Sequence, residues 1–182
     1  MRVIGIVGLP ASGKGEFSRI AGAMGIPVVV MGDVIRAAVK EVGLLETDQS
    51  FGLVAQQLRD LHGMGAIAVS SVPFIRATGA PVVLVDGIRG DAEVAIFRHE
   101  FPDFHLIGIQ SEFFARLNRL SQRGRTDDVL SAEELLQRDE REISWGLDRA
   151  LAEADQMLTN DGTIPEYSAR VHALLAGLKE MA

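Results

Sequence analysis

The sequence predicts an α/β protein with a five-stranded parallel sheet flanked by helices on both faces. Three observations predict it. Short apolar runs rich in Val and Ile alternate with longer stretches of helical periodicity, the pattern of successive β-α-β units. Several of the runs are apolar throughout instead of at every second residue, which suits strands buried on both sides. Polar, Gly-bearing clusters fall directly after three of the runs, at Gly8–Lys14, Gly32–Asp33 and Asp86–Arg89. Parallel sheets bind ligands beyond the carboxyl ends of their strands, so these clusters should converge on one edge.

The elements follow in order. Arg2–Val7 reads as a buried strand ended by Gly8, and Lys14–Met24 as a helix. Pro27–Met31 is a second strand, followed by a helix over Asp33–Val42 with Val34, Ile35, Ala38 and Val42 on one stripe and Gly43 at its end. Two helical patterns, Ser50–His62 and Met64–Arg76, are broken at His62-Gly63-Met64-Gly65. Pro81–Gly87 is a third strand, and Asp91 is positioned to cap a helix over Asp91–Glu100. Phe104–Ile109 is a fourth strand, after which Ser111 caps a helix to about Gln122. Ser131 with Glu134, and Thr163 with Glu166, form Ser/Thr-x-x-Glu capping boxes for two further helices, with Pro165 tolerated in a first turn. Asp155–Asn160 between them is a short fifth strand.

The chain has 182 residues, 47% hydrophobic and 24% charged, which suits one domain with a real core. Eighteen Lys and Arg against twenty-five Asp and Glu give a formal charge of −7. That balance argues against non-specific nucleic-acid binding, and it leaves room for an anionic ligand held by a local Arg cluster. The absence of Cys excludes disulfides, thiolate zinc sites and a Cys nucleophile, and fits a reducing cytoplasm. The N-terminal apolar run is too short to span a membrane and reads as a strand instead of a signal peptide. A cytoplasmic protein without a membrane partner, monomeric or homodimeric, is therefore expected. Neither internal repeats nor low-complexity tracts are present.

Gly8, Leu9, Pro10, Ala11, Ser12, Gly13 and Lys14 match G-x-x-x-x-G-K between a strand and a helix, the context that gives the motif its meaning. The glycines let backbone N–H groups turn inward around phosphate oxygens, the helix dipole adds positive charge, and Lys14 would reach the β- and γ-phosphates of ATP. Gly15 supplies no side-chain oxygen, so Mg2+ would be held mostly through water. Glu16 lies in the first helical turn, where it either faces solvent or holds a magnesium-bound water.

Lys14-Gly15, in place of Lys followed by Ser or Thr, resembles the loop of adenylate kinases, GPGSGKGT. Met31–Val39, with Gly32-Asp33-x-x-Arg36, is similar to the segment with which those kinases hold the acceptor nucleotide. Val83–Arg89 looks like their Walker-B-like strand end, and Arg116–Asp128 resembles the Arg-bearing lid entrance of P-loop nucleotide kinases. Ala154–Thr163 is closer to dephospho-CoA kinases, in which a similar Asn-x-Gly loop passes the adenine. The resemblance covers most of the chain and points to a small archaeal group of adenylate-kinase-like or dephospho-CoA-kinase-like proteins. It implies a three-layer P-loop kinase fold with core 1–32, 80–115 and 146–182, acceptor-binding helices 33–79 and a short helical lid at about 116–145. It also implies ATP and Mg2+ as cofactors. Two departures stand out: Glu16 replaces the Thr that follows Lys-Gly, and the short lid lacks the Cys of the zinc-bearing type.

The chemistry of phosphoryl transfer assigns further roles, each beside a plainer alternative. It asks for positioning and for positive charge on the moving group. Asp33 and Arg36 share a helix face; Arg36 could grip an acceptor phosphate and Asp33 could orient the acceptor or take a hydroxyl proton, or the two are an N-capping Asp and a surface Arg. Arg59 is an acceptor clamp or a salt-bridge partner. Asp86, with Gly87, ends an apolar strand and suits a magnesium water or a simple turn; Arg89 on the same loop could face the acceptor. Arg119, Arg123, Arg125, Arg138 and Arg141 would close over the ATP phosphates, or belong to a solvated hairpin in which Arg138 and Arg141 pair with Asp139, Glu140 and Glu142. Asn160 and Gly162 would lie beside the adenine, or form an ordinary turn. His62 reads as a helix-end residue, Phe113 and Phe114 as core or hinge, and Trp145 as packing under the lid.

Two functions remain open at this point. One is an ATP-dependent phosphotransferase acting on a nucleotide-like small molecule, a nucleoside monophosphate or dephospho-CoA. The other is a nucleotide-dependent ATPase or switch that binds a partner protein or RNA.

Overall fold

A computed structural model describes residues 1–123 and 131–180. Its sheet has five parallel strands in the order β2-β3-β1-β4-β5, where β1 is Arg2–Val7, β2 Val28–Val30, β3 Val82–Ile88, β4 Phe104–Gln110 and β5 Gln156–Thr159. The three central strands are the continuous apolar runs of the sequence, as burial on both faces requires.

One face carries α1 (Lys14–Ala23) and α9 (Ile164–Glu180), which bury Phe17, Ile20, Tyr167, Val171 and Leu175 against Ile4, Ile6, Leu84 and Ile107. Residues 167, 171, 175 and 178 of α9 form one stripe at helical spacing, and full burial of each aliphatic side chain contributes about 1.5–3 kcal/mol. The opposite face carries α4 (Ala66–Ala77), α5 (Asp91–Glu100) and α8 (Leu147–Ala152) over Val3, Val83, Val85, Phe104 and Leu106. Helices α2 (Gly32–Glu41) and α3 (Asp48–His62) come with α4 between β2 and β3, and α6 (Phe113–Arg123) and α7 (Ala132–Ser144) follow β4. Among the described residues no helix is long and apolar enough to cross a membrane.

Local contacts moved several element ends from their expected places. Strand β2 stops at Val30, because Met31 is already helical (φ −59°, ψ −31°) and Gly32 opens α2. Helix α3 starts earlier than Ser50, since the Thr47 hydroxyl caps it by accepting from the Ser50 amide at 3.1 Å. Asp91 does not cap α5. Gly90 occupies the cap position against the Trp145 carbonyl, where a Cβ would lie 2.2 Å from oxygen, and Asp91 instead pairs with Arg149 at 2.9 Å. The Ser111 hydroxyl donates to the Asn160 carbonyl at 2.8 Å, while Asp161 from the opposite loop accepts from the Glu112 amide at 2.8 Å. The Ser131–Glu134 box forms, as do the reciprocal bonds of Thr163 and Glu166.

The β3 register skips Gly87: Ile6 pairs with Asp86 and Val7 with Ile88. Gly87 takes φ 107°, a conformation that favours glycine, and the resulting bulge brings Asp86 to the end of the regular ladder beside the phosphate loop.

Candidate functional site

The loop between β1 and α1 is held from outside along its whole length. Lys14 Nζ donates to the carbonyls of Gly8 (2.5 Å) and Leu9 (3.0 Å). Arg116 donates to Pro10 (3.1 Å) and Arg119 to Ala11 (3.2 Å). Asn160 Nδ2 donates to Ser12 (2.8 Å) and the Tyr167 hydroxyl to Gly13 (3.2 Å). Six consecutive carbonyls are therefore occupied by side-chain donors, while the amides of Gly13, Lys14 and Gly15 have no acceptor among the described residues. Those amides lie at the N-terminus of α1, and Gly13, Lys14 and Gly15 all line one cavity. This is the arrangement of an anion cradle.

Two residues show what the cradle demands of the backbone. Gly13 has φ 121°, and a Cβ there would meet Asn160 Nδ2 at 2.4 Å. Ala11 has φ 59°, the sole positive φ at a non-glycine among the described residues. A sparsely populated conformation of this kind persists where surrounding contacts over-determine it, here the Arg119 bond to the Ala11 carbonyl and the Asn160 bond to that of Ser12.

The cavity beside the loop has a volume of about 540 Å3, within the range of small-molecule sites. Its walls bring together the loop, the Gly32–Arg36 segment, Arg59, the Asp86–Arg89 turn, Arg119 and Arg138. Burial, together with the nearby Arg89, lowers the Lys14 ammonium to a pKa of about 8. Facing it, Glu142 binds Arg89 closely and Arg138 at 3.4 Å. Burial would raise the Glu142 carboxyl, but Arg89, Arg138 and Lys14 more than offset it and hold it below its ordinary value. Asp48 at the start of α3 takes Arg138 at 3.2 Å and Arg141 at 2.8 Å.

Several of the expected site residues are held by protein partners of their own. Asp33 is not part of the cavity wall; its carboxylate is largely exposed and bonded to Arg36. Arg59 does line the cavity, but its guanidinium is buried against Glu93 at 2.8 Å and lies 4.2 Å from the Trp145 ring centroid. Burial pushes Arg59 down and Glu93 up, and their ion pair offsets part of both shifts. Arg119 is tied to the Ala11 and Asn160 carbonyls and to Ser111 Oγ, bracing the loop. Asn160 is buried beneath the loop, and Gly162 lines a separate shallow depression with Thr159, Asp161 and Glu166. The side chain of Arg123, and Arg125, lie outside the described residues. Glu16 is engaged by Arg19 (2.7 Å) and by the Ser168 hydroxyl (3.1 Å), and the Arg19 bond foremost lowers its pKa.

Other contributors were not anticipated. Arg116 forms a buried pair with Asp139 at 2.6 Å that locks α7 to α6 and to the loop. Its position in the basic segment was visible, its partner was not. Tyr167 carried only a core signal, and burial pushes its phenol up. Ser18 donates to Asp86 Oδ2 at 2.7 Å; its place three residues after Gly15 was a usable signal, because positions three apart share a helix face. Glu142, expected as a partner for Arg138 and Arg141 on a solvated hairpin, is instead buried in the cavity wall.

Residues 7–135 match a family described as an AAA domain. A UPF0200 protein of Methanoculleus marisnigri is 62% identical over 178 residues, covering 98% of this chain and 97% of that protein. Among solved structures, a gluconokinase from Sinorhizobium meliloti is similar with a TM-score of 0.60 at 18% identity, covering 98% of this chain and 94% of that one. A shikimate kinase from Bacteroides thetaiotaomicron is similar with a TM-score of 0.61 at 12% identity, covering 96% and 98%. At these identities the structures establish a shared P-loop kinase fold.

Proposed function

We propose that this chain, which belongs to the UPF0200 family, is an ATP-dependent phosphotransferase whose acceptor is a small molecule bearing a phosphate, a nucleoside monophosphate first and dephospho-CoA second. The observation that carries the reading is the junction of two half-sites in one cavity: an anion cradle on one wall and Arg36, Arg89 and Arg138 on the other. Asp33, the base that a hydroxyl acceptor would need, lies outside the wall. An acceptor phosphate oxygen is already a nucleophile and needs no strong base, so the outward Asp33 favours a phosphate over a ribose hydroxyl as the receiving group.

In this reading the β- and γ-phosphates of ATP occupy the amides of Gly13–Gly15, and Lys14 leaves the loop carbonyls to meet them. Arg36 grips the acceptor phosphate, whose oxygen attacks the γ-phosphorus as the bond to the β-γ bridging oxygen breaks and ADP leaves. Arg89 and Arg138 neutralise the charge that spreads over the transferring group. The residues fit Mg2+ held chiefly by phosphates and water: Asp86 lines the cavity with one carboxylate oxygen unbonded among the described residues, and those residues contain no cluster of three or more acidic, His or Cys ligands. Bound there, the ion would supply charge neutralisation between the phosphates, and Asp86 would orient its water. Residues 33–79 serve as the acceptor-binding part and about 116–145 as the lid, in a cytoplasmic protein.

The test is transfer of radiolabelled phosphate from ATP to a panel of nucleoside monophosphates and dephospho-CoA, with titration of a bisubstrate analogue of two adenosines joined by five phosphates. Turnover of a monophosphate, with analogue affinity at least tenfold weaker in Arg36→Ala and ATP affinity retained, is expected. ATP binding with no turnover of any acceptor would sink the kinase reading and leave the nucleotide-dependent switch.

A further inference from the structure

Five carboxylates line the cavity: Glu16, Asp48, Asp86, Glu93 and Glu142. Arg19 pairs with the first, Arg138 and Arg141 with Asp48, Arg59 with Glu93, and Arg89 and Arg138 with Glu142. Asp86 differs. Among the described residues it has no Arg or Lys within salt-bridge distance, and its bonded side-chain partner is the neutral hydroxyl of Ser18, donating to Oδ2 at 2.7 Å. A hydroxyl fixes the orientation of a carboxylate without cancelling its charge. Oδ1 accepts no hydrogen bond from the described residues. A carboxylate so oriented at the end of an apolar strand, with no Arg or Lys paired to it among the described residues, is prepared for a cation.

Ser18 comes from an unusual place. A hydroxyl at the position after the loop lysine commonly serves the metal in loops of this pattern, and here that position is Gly15. A Cβ at Gly15 would meet nothing within 4 Å, so the position is open. Ser18 lies on the same face of α1 one turn further on. We infer that Ser18 is the positioning residue for the metal site: it aims Asp86 Oδ1 at the water shell of Mg2+ bound with ATP, taking over from one helical turn away the anchoring that Gly15 cannot give. The inference rests on the ATP-dependent reading above.

It is tested by titrating Mg2+ into the full chain with a fluorescent ATP analogue. Ser18→Ala should raise the Mg2+ concentration for half-maximal enhancement of binding by about tenfold or more, the usual loss when an outer-shell partner is removed. Metal-free analogue affinity and the nucleotide-free unfolding midpoint should stay as in the unmodified chain, and Ser18→Thr should restore the Mg2+ titration to within about threefold. A Ser18→Ala protein that titrates like the unmodified chain overturns the inference while the reading stands. So does one whose metal-free affinity falls as far as its metal response, since that is a structural effect. An unmodified chain that binds the analogue with no Mg2+ dependence removes the reading and the inference together.

Discussion

The two walls of the cavity are built from opposite kinds of contact. On the phosphate-loop wall, side-chain donors hold backbone carbonyls from Gly8 to Gly13, and the donors come from α1, α6, α9 and the loop after β5. On the opposite wall, charged side chains hold one another: Arg89 and Arg138 with Glu142, Arg138 and Arg141 with Asp48, Arg59 with Glu93. The first wall is largely set before any ligand arrives, because its anchors other than Lys14 do not compete with phosphate. Under the proposed function the second exchanges partners, because a guanidinium that binds an acceptor phosphate gives up part of its hold on a carboxylate. Affinity should therefore reside mainly in the loop wall, and discrimination between acceptors in the ionic wall.

The comparison breaks most visibly at Arg116. Truncation to Ala leaves Asp139 buried without its cation and frees the Pro10 carbonyl. A loss of about 3–5 kcal/mol in unfolding free energy is expected by denaturant titration, as for other broken buried pairs. If the loss stays under about 1 kcal/mol, the pair is not the anchor claimed for it.

Lys14 comes next, as the one loop anchor that must also meet the ligand. Lys14→Ala should weaken ATP binding by about a hundredfold, near 2.7 kcal/mol, with the fold intact by circular dichroism. Unchanged affinity would remove the phosphate-loop assignment. Its depressed pKa gives a pH signature. Phosphate binding needs the ammonium, so ATP affinity should hold below about pH 8 and decline as pH rises through that value. The sign for the ligand-free fold is the reverse. The folded pKa lies below the ordinary value of 10.5, so protonating Lys14 costs folded-state stability, fully below about pH 8, and the cost fades as pH approaches 10.5. An ATP affinity that rises through pH 8 would contradict this placement of Lys14.

The smallest expected effect is at Gly15. Gly15→Ser meets no obstacle and replaces Gly in a helix, so stability should increase by up to about 0.5 kcal/mol, read as a small rise in Tm. A clear destabilisation would show that the space over Gly15 is not open.

The fold was largely legible because its determinants are local and repeated. The runs Arg2–Val7, Pro81–Gly87 and Phe104–Ile109 are apolar on both faces, and both capping boxes state their helix starts. The phosphate loop was legible for the same reason, since its residues are contiguous. Asp91 and Ser111 misled because a capping residue looks the same in sequence whether its side chain turns to its own helix or, as here, to Arg149 or Asn160. The partners of the arginines were not legible for a related reason: nothing in the spacing of Arg59, Arg116 or Arg119 tells which carboxylate or carbonyl each will find.

By itself, then, the sequence determined the alternation of strand and helix, the anion-binding loop and the convergence of three polar clusters on one sheet edge, all of which follow from residues close together in the chain. Only the tertiary structure decided what each charge faces. It turned Asp33 outward and Glu142 inward, tied Glu16 to Arg19, and left Asp86 with Ser18 instead of a cation. The physical reason is that hydrogen-bond and ion-pair partners lie up to 176 residues apart, as Arg2 and Leu178 do, and the worth of each contact depends on burial that only the packed chain creates.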